Sequence, residues 1–289
     1  MTVPAPLLGT HVSIAGGIEL AVARAAAIGC RALQIFTRNA SRWASPPLSD
    51  TSVQAFRHAR SAAGILYVAA HSSYLINLAS PDPQLSRRSL VACSEELERC
   101  RQLGLDALVI HPGAHTGSGT RAGLTSVVGN LQELLRGSSG AVRILIENTA
   151  GQGTGLGASM EELAEILSRV NNDRLALCLD TCHAFAAGYD LSSAAGYHQL
   201  IERIDTLVGI DKLQLFHLND SKTVLGSRVD RHEHVGQGMI GVTGFRCLMQ
   251  DARFARCAKI LETPPGKDHC HDLENLALLR RLARPSDAE

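Results

Sequence analysis

A (β/α)8 barrel, an α/β fold with a metal site at the C-terminal rim of its strands, is the architecture this sequence predicts, in a single domain over 1–289. Three observations predict it. Short apolar runs alternate with longer amphipathic segments along the whole chain, and eight such strand-then-helix units in a row make a closed parallel barrel. The run Leu175–Leu179 is apolar throughout, as in a strand buried on both faces of a parallel sheet. Six of the eight runs also stop at an ionisable residue: His71, His111, Glu147, Asp180, His217 and Glu262.

The first strand is read over Leu7 to Ile14, and the helix of Glu19 to Ile28 is ended by Gly29. The second strand, Arg31 to Phe36, leads into a polar loop, Thr37 to Trp43, and a helix of Asp50 to Ala63. The third, Leu66 to Ala70, ends at His71, and a helix spans Pro83 to Leu103. The fourth, Ala107 to Ile110, ends at His111 and precedes a helix of Ala122 to Leu135. The fifth, Val142 to Ile146, ends at Glu147; Ser159 and Glu162 then make a capping box for the helix through Val170. The sixth ends at Asp180 and is followed by a helix of Ala194 to Val208. The seventh, Leu213 to Phe216, ends at His217 and opens a long polar loop to Gly241, with a helix through Met249. The eighth, Ala258 to Leu261, ends at Glu262, and Asp272 to Leu282 closes the chain.

At 289 residues and 45% hydrophobic, the chain is long enough to bury a large core. Lys plus Arg and Asp plus Glu each number 28, so no global basic field marks a nucleic-acid partner, although a local patch or bound cations could attract phosphate. Met1 to Pro6 has neither a basic segment nor an apolar core, and no run reaches membrane length. A soluble, cytoplasmic protein is expected. The eight cysteines form no C-x-x-C pair and are expected to be reduced thiols.

Twelve histidines are the compositional oddity. A single histidine or carboxylate at a strand end is usually packed or capped; Asp180 could cap the segment after it and His183 could be a satisfied loop histidine. Six ionisable groups converging on one barrel mouth would repel or stay unsatisfied without cations, which implies a multinuclear metal site. Asp230 and His232, two apart in an extended segment of the seventh loop, could chelate one ion together with His183. Imidazole and carboxylate without thiolate suit Zn2+, with Mn2+ possible, and leave Cys182 a spectator. His58 and His198 fall inside helices as surface residues, whereas spacing does not place His11, His115, His234, His269 or His271. Gly153 to Ala158 matches G-x-G-x-x-A, but the preceding strand ends at Glu147, too early for a dinucleotide loop; its glycines fit close backbone approach instead.

The stretches from His71 to Ala79, Ile146 to Gly153, Asp180 to Asp190 and His217 to Lys222, with Gly226 to His232, closely resemble the endonuclease IV family of apurinic/apyrimidinic endonucleases. The resemblance runs from about Gly9 to Glu262. It implies a barrel with three zinc ions that cleaves double-stranded DNA 5′ to an abasic site in base excision repair, leaving 3′-hydroxyl and 5′-deoxyribose phosphate ends. By motif position, His71 and His111 would hold one ion, with Glu147 bridging it to a second held by Asp180, His217 and Glu262. His183, Asp230 and His232 would hold the third, and Glu147, Asp180 and Glu262 would act in catalysis. The resemblance also implies DNA contacts from Asn39, Arg42, Tyr74, Leu75, Lys222 and Arg231, with Tyr74 and Leu75 at wedge positions and no obligatory protein partner for a monomer. Ser41 stands where the family places a wedge arginine; in an extended loop the adjacent Arg42 would point to the opposite side and serve as a phosphate contact. A sugar isomerase of the xylose isomerase-like barrels is the competing reading. Such enzymes favour a lysine and a carboxylate-dominated metal pair, whereas five histidines are placed here as ligands.

Overall fold

The computed structural model describes residues 5–284. Eight parallel strands close into a barrel: β1 (Leu8–His11), β2 (Ala32–Phe36), β3 (Tyr67–His71), β4 (Ala107–Ile110), β5 (Arg143–Glu147), β6 (Leu175–Asp180), β7 (Leu213–His217) and β10 (Ala258–Leu261). Closure pairs β1 with both β2 and β10. The intervening pair, β8 (Asp220–Ser221) and β9 (His232–Glu233), is a short antiparallel ribbon inside the seventh loop.

The helices match the sequence reading closely where caps mark their ends. Helix α2 (Asp50–Ala63) begins at Ser49, whose side chain accepts from the Ser52 N–H, and ends at left-handed Gly64. Helix α3 (Pro83–Leu103) is capped by Asp82, with proline in its first turn, and stops at Gly104. Helices α1 (Ile18–Ala27), α4 (Thr120–Arg136), α7 (Ala194–Val208), α8 (Val242–Gln250) and α9 (Cys270–Leu282) complete the outer layer with α5 (Met160–Val170). Three expectations change. Strand β1 stops at His11, three residues short of the expected Ile14. The reciprocal arm of the Ser159 capping box does not form, because the Glu162 carboxylate accepts from the Gly157 N–H instead. In addition, a short helix, α6 (Thr181–Ala187), follows β6 directly.

The core has two layers set by strand parity. Leu108, Ile110, Ile144, Ile146 and Phe216 face outward into the helix–sheet layer. Ala32, Ala69, Ala107, Val109, Leu145, Ala176, Cys178, Leu215, Ala258 and Ile260 fill the barrel lumen, small side chains prevailing where space is tightest. Because side chains alternate along a strand, a residue two positions beyond a lumen residue also points inward, now at the rim. That rule carries Ala69 to His71, Val109 to His111, Leu145 to Glu147, Cys178 to Asp180, Leu215 to His217 and Ile260 to Glu262. It also carries Ala32 to Gln34. Among the described residues, no helix is long and apolar enough to cross a membrane.

Candidate metal centre

Glu147 lies at the centre of the mouth, fully buried. Its two oxygens face different neighbours. Oε2 is 3.1 Å from His71 Nε2 and 3.6 Å from His111 Nε2, while Oε1 is 3.0 Å from His217 Nδ1 and 3.3 Å from His183 Nδ1. His217 Nδ1 lies 3.1 Å from Glu262 Oε2. At the far side His183 Nε2 is 3.2 Å from Asp230 Oδ2, and His232 Nε2 is 3.1 Å from Asp230 Oδ1.

The nine side chains therefore gather as His71, His111 and Glu147; Glu147, Asp180, His217 and Glu262; and His183, Asp230 and His232, with ligand atoms in each group within 4.8 Å of one another. Two details fit cations at these positions. His232 Nε2 is buried and, although Asp230 Oδ1 lies 3.1 Å away, makes no well-aligned hydrogen bond, a lone pair that a metal would satisfy. Several imidazoles are also held with one nitrogen turned away from the group. His71 Nδ1 is 2.8 Å from the Ser72 carbonyl and His183 Nδ1 3.0 Å from that of Asn148, so each leaves Nε2 as the outward lone pair. Cys182 also falls near Asp180 and His232, but its Sγ–H donates to the Arg231 carbonyl and burial pushes the thiol up to about 12.

Asp180 forms the expected cap with one oxygen and keeps the other turned toward the mouth. Oδ1 accepts from the His183 N–H at 2.8 Å as the N-cap of α6, while Oδ2 accepts from Asn219 Nδ2 at 2.6 Å and lies 3.7 Å from His232 Nε2. Helix α6 in turn receives the seventh loop, since the Gly226 and Arg228 N–H groups donate to the Phe185 and Ala186 carbonyls. This docking brings Asp230 and His232 to His183.

Burial and the facing carboxylates pull these imidazoles in opposite directions. Burial lowers the imidazole of His71, but the Glu147 carboxylate outweighs it and holds the group up to about 9. Burial likewise opposes charge on His232, and Asp180 outweighs it to give about 9. His183 and His217 are also raised: burial is outweighed, foremost by Asp180 for the one and Glu262 for the other. For His111 burial prevails and the value falls to about 4. Burial would raise Glu147 and Glu262, yet the imidazoles around them, led by His111 and His217 respectively, hold both below the usual carboxylate range. Four histidines raised against the effect of burial mark a strongly anionic pocket.

Four residues at this mouth were not singled out by sequence reasoning. Gln34 is fully buried; its Nε2 donates to Glu262 Oε1 at 2.6 Å, and its Oε1 accepts from His217 Nε2 at 2.8 Å. The His11 ring packs at a tilt against Phe36, with Nδ1 3.6 Å from Glu262 Oε1. Asn148 accepts from the Asp180 N–H, and Asn219 Oδ1 accepts from the Glu262 N–H at 2.9 Å. Lumen parity on β2 is the signal that reaches Gln34.

Of the residues expected to contact DNA, Tyr74 lines this opening. Tyr74 is 71% exposed, its ring edge against Phe36, and Leu75 beside it is half-buried. The loop carrying Asn39 and Arg42 is not extended as expected. The Arg42 N–H donates to the Asn39 carbonyl and Asn39 Oδ1 accepts from the Ser41 N–H, so the chain turns there and exposes Ser41 and Arg42 together. One brace joins the two loops: Glu96 Oε1 accepts from Arg38 Nε and the Ser73 N–H, Arg38 donates to the Trp43 carbonyl, and Ser73 Oγ donates to the Ala40 carbonyl. Lys222 and Arg231 are exposed next to each other on the ribbon, with the Lys222 N–H donating to the Arg231 carbonyl.

The remaining motifs are structural. Residues 149–157 zip onto the loop after β4 through Ala114 and Gly155, and the Gly157 N–H is taken by Glu162, so the glycine motif keeps no free cradle for a pyrophosphate. His115 Nδ1 accepts from the Gly117 and Gly119 N–H groups, His234 stacks on His271, and His269 pairs with Asp272. His58 and His198 are exposed on their helices.

The closed parallel barrel is that of the xylose isomerase-like TIM barrel, whose family model matches residues 22–282. Likeness to a D-tagatose 3-epimerase-like protein, TM-score 0.71 at 18% identity over 95% of this chain and 98% of the other, shows the shared fold alone. The chain belongs, more narrowly, to the endonuclease IV family. It is 48% identical over 281 residues to the probable endonuclease 4 of Chloroflexus aggregans, covering 96% of this chain and 98% of that one. The crystal structure of endonuclease IV from Thermus thermophilus superposes with a TM-score of 0.85 at 38% identity, over 96% and 98% of the two chains.

Proposed function

We propose that this protein is a zinc-dependent endonuclease of base excision repair that hydrolyses the phosphodiester 5′ to an abasic site in double-stranded DNA, leaving 3′-hydroxyl and 5′-deoxyribose phosphate ends. The observation that carries it is the gathering of nine imidazole and carboxylate side chains into three groups, two of them sharing Glu147. His71, His111 and Glu147 would hold one ion; Glu147, Asp180, His217 and Glu262 a second; His183, Asp230 and His232 a third. Five imidazoles and no thiolate favour Zn2+, with Mn2+ the other candidate. Zinc supplies Lewis acidity toward phosphoryl oxygens and makes a water nucleophile available near neutral pH.

The chain's own residues do the rest. Glu147 divides its oxygens between two groups and so sets their spacing. Asp180 and Glu262 neutralise charge from opposite sides, each oriented by Asn219. Tyr74 and Leu75 would enter the minor groove at the lesion, with Asn39 and Arg42 on the braced loop beside them. Lys222 and Arg231 would grip backbone phosphate next to the third group. The protein would act as a monomer in the cytoplasm, with DNA as its partner and no protein partner required.

A barrel of sugar-isomerising type is disfavoured by the five imidazoles and by relatives named endonuclease. The deciding experiment offers the protein an abasic duplex, an intact duplex and a panel of sugars, with elemental analysis of the same preparation. Incision confined to the abasic duplex with about three zinc ions per chain is expected, since nine ligands at three or four per ion leave room for water and substrate. Sugar turnover without incision, or one ion or none bound, would overturn the proposal.

A further inference from the structure

Beside the mouth, the carboxylate of Asp220 is completely buried at the base of the β8–β9 ribbon. Five backbone N–H groups converge on it. Oδ1 accepts from Ser221 at 2.7 Å and Ile240 at 2.8 Å, and Oδ2 from Gly236 at 2.9 Å, Gly238 at 3.1 Å and Gly241 at 3.2 Å. Four of those donors come from the segment immediately after β9, which carries glycine at 236, 238 and 241. Gly236 and Gly241 have left-handed φ of 78° and 68°. At Gly238 an added Cβ would lie 2.5 Å from Asp220 Oδ1 and overlap the Ser221 carbonyl. Convergent N–H groups of a glycine-rich loop are how proteins hold phosphate; here the chain supplies the anion itself.

The consequence runs through the ribbon. Ser221, next to Asp220, pairs with His232, and Asp220 itself with Glu233, while the Lys222 N–H donates to the Arg231 carbonyl. A carboxylate that clamps 236–241 onto 220–221 therefore fixes both ends of β9 and, with it, the depth at which His232 and Asp230 face His183. The strands are only two residues each, so ladder hydrogen bonding alone is too little to hold them.

We infer that Asp220 is an internal anion filling a glycine nest, and that it positions His232 and Asp230 to complete the His183 metal site. This inference rests on the three-zinc reading of the mouth. Asp220 touches neither metal nor substrate in it and is a positioning residue. Such outer partners commonly change metal affinity by about 10- to 100-fold.

The test compares wild type with Asp220→Ala and Gly238→Ala, reading zinc per chain after desalting and amide exchange over 232–241 in both zinc-loaded and metal-free protein. In Asp220→Ala, zinc is expected to fall by about one ion per chain and exchange across 232–241 to rise. Formate or acetate, but not chloride at equal ionic strength, should reverse both by refilling the nest. Gly238→Ala, which keeps the carboxylate but crowds it, should lose the same ion without rescue, and it carries the test if Asp220→Ala does not fold. Full zinc retention with unchanged exchange in the variants, or loss that formate does not restore in a folded Asp220→Ala, would overturn the inference. Fewer than three ions in wild type would instead overturn the three-zinc reading, and metal-free exchange with its formate rescue would still decide the role of Asp220 in the loop.

Discussion

Gln34 and His217 meet across the barrel mouth, where the glutamine Oε1 accepts a hydrogen bond from the histidine Nε2 at 2.8 Å. The amide can take only this orientation, because its Nε2 faces Glu262 Oε1 at 2.6 Å and a carboxylate can only accept. One side chain therefore sets the tautomer of His217, leaving Nδ1 free toward Glu147, and the angle of Glu262. Gln34→Ala should fold and weaken zinc at the Glu147–Asp180–His217–Glu262 group by about 10- to 100-fold in a chelator competition. Unchanged affinity for all bound zinc would show that Gln34 is only packing.

Glu262→Gln removes one charge from the proposed ligand set while keeping volume and the hydrogen bond from Gln34 within reach. The variant is expected to melt within a few degrees of wild type and to lose roughly three orders of magnitude in single-turnover incision at saturating zinc, about 4 kcal/mol of barrier. Wild-type turnover in that variant would place the chemistry elsewhere.

Metal-free stability should fall as pH rises from 6.5 to 8. His71 and His232 are held up to about 9 in the folded chain, against 6.5 for the free side chain, and His183 and His217 are raised with them. A raised histidine contributes stability fully below about 6.5 and loses it toward its folded value, so the folded state here binds more protons than the unfolded one. His111, lowered to about 4, acts only below 6.5, and Lys259, buried and lowered to about 8, opposes the trend only above that point. A decrease in Tm of roughly 5 °C across this window is expected without zinc, and little change with it. A metal-free Tm that stays level or climbs would contradict the assigned protonation.

The turn at Asn39–Arg42 reverses an expectation and makes a prediction. An extended loop would have limited Arg42 to phosphate, whereas the turn exposes it beside Ser41 on a loop tied to that of Tyr74. Arg42→Ala and Tyr74→Ala should each lower the preference for abasic over intact duplex, by about tenfold for Tyr74. Equal weakening on both duplexes in Arg42→Ala, with a shallower salt dependence, would return that residue to a phosphate contact.

The sequence alone determined the barrel and the six strand-end residues. Both follow from local rules: apolar runs of strand length, caps such as Ser49, Asp82 and Gly104, and the two-residue period that turns the residue after the lumen layer into the mouth. Spacing made Asp230 and His232 candidates and the resemblance chose them, because a polar loop has no period to place them. Tertiary structure decided what depends on partners far along the chain. Gln34 gains its role from His217 and Glu262, 183 and 228 residues away, and Asp220 from glycines that a local reading takes for a flexible loop. The seven residues of α6 are too few to display an amphipathic repeat, so the cap that Asp180 offered in the sequence could not by itself announce a helix. Even a local rule can miss its partner: the Glu162 carboxylate accepts from Gly157, five residues back, instead of returning to the Ser159 N–H. Local patterns record which way a side chain must face, and only the closed barrel determines what it meets there.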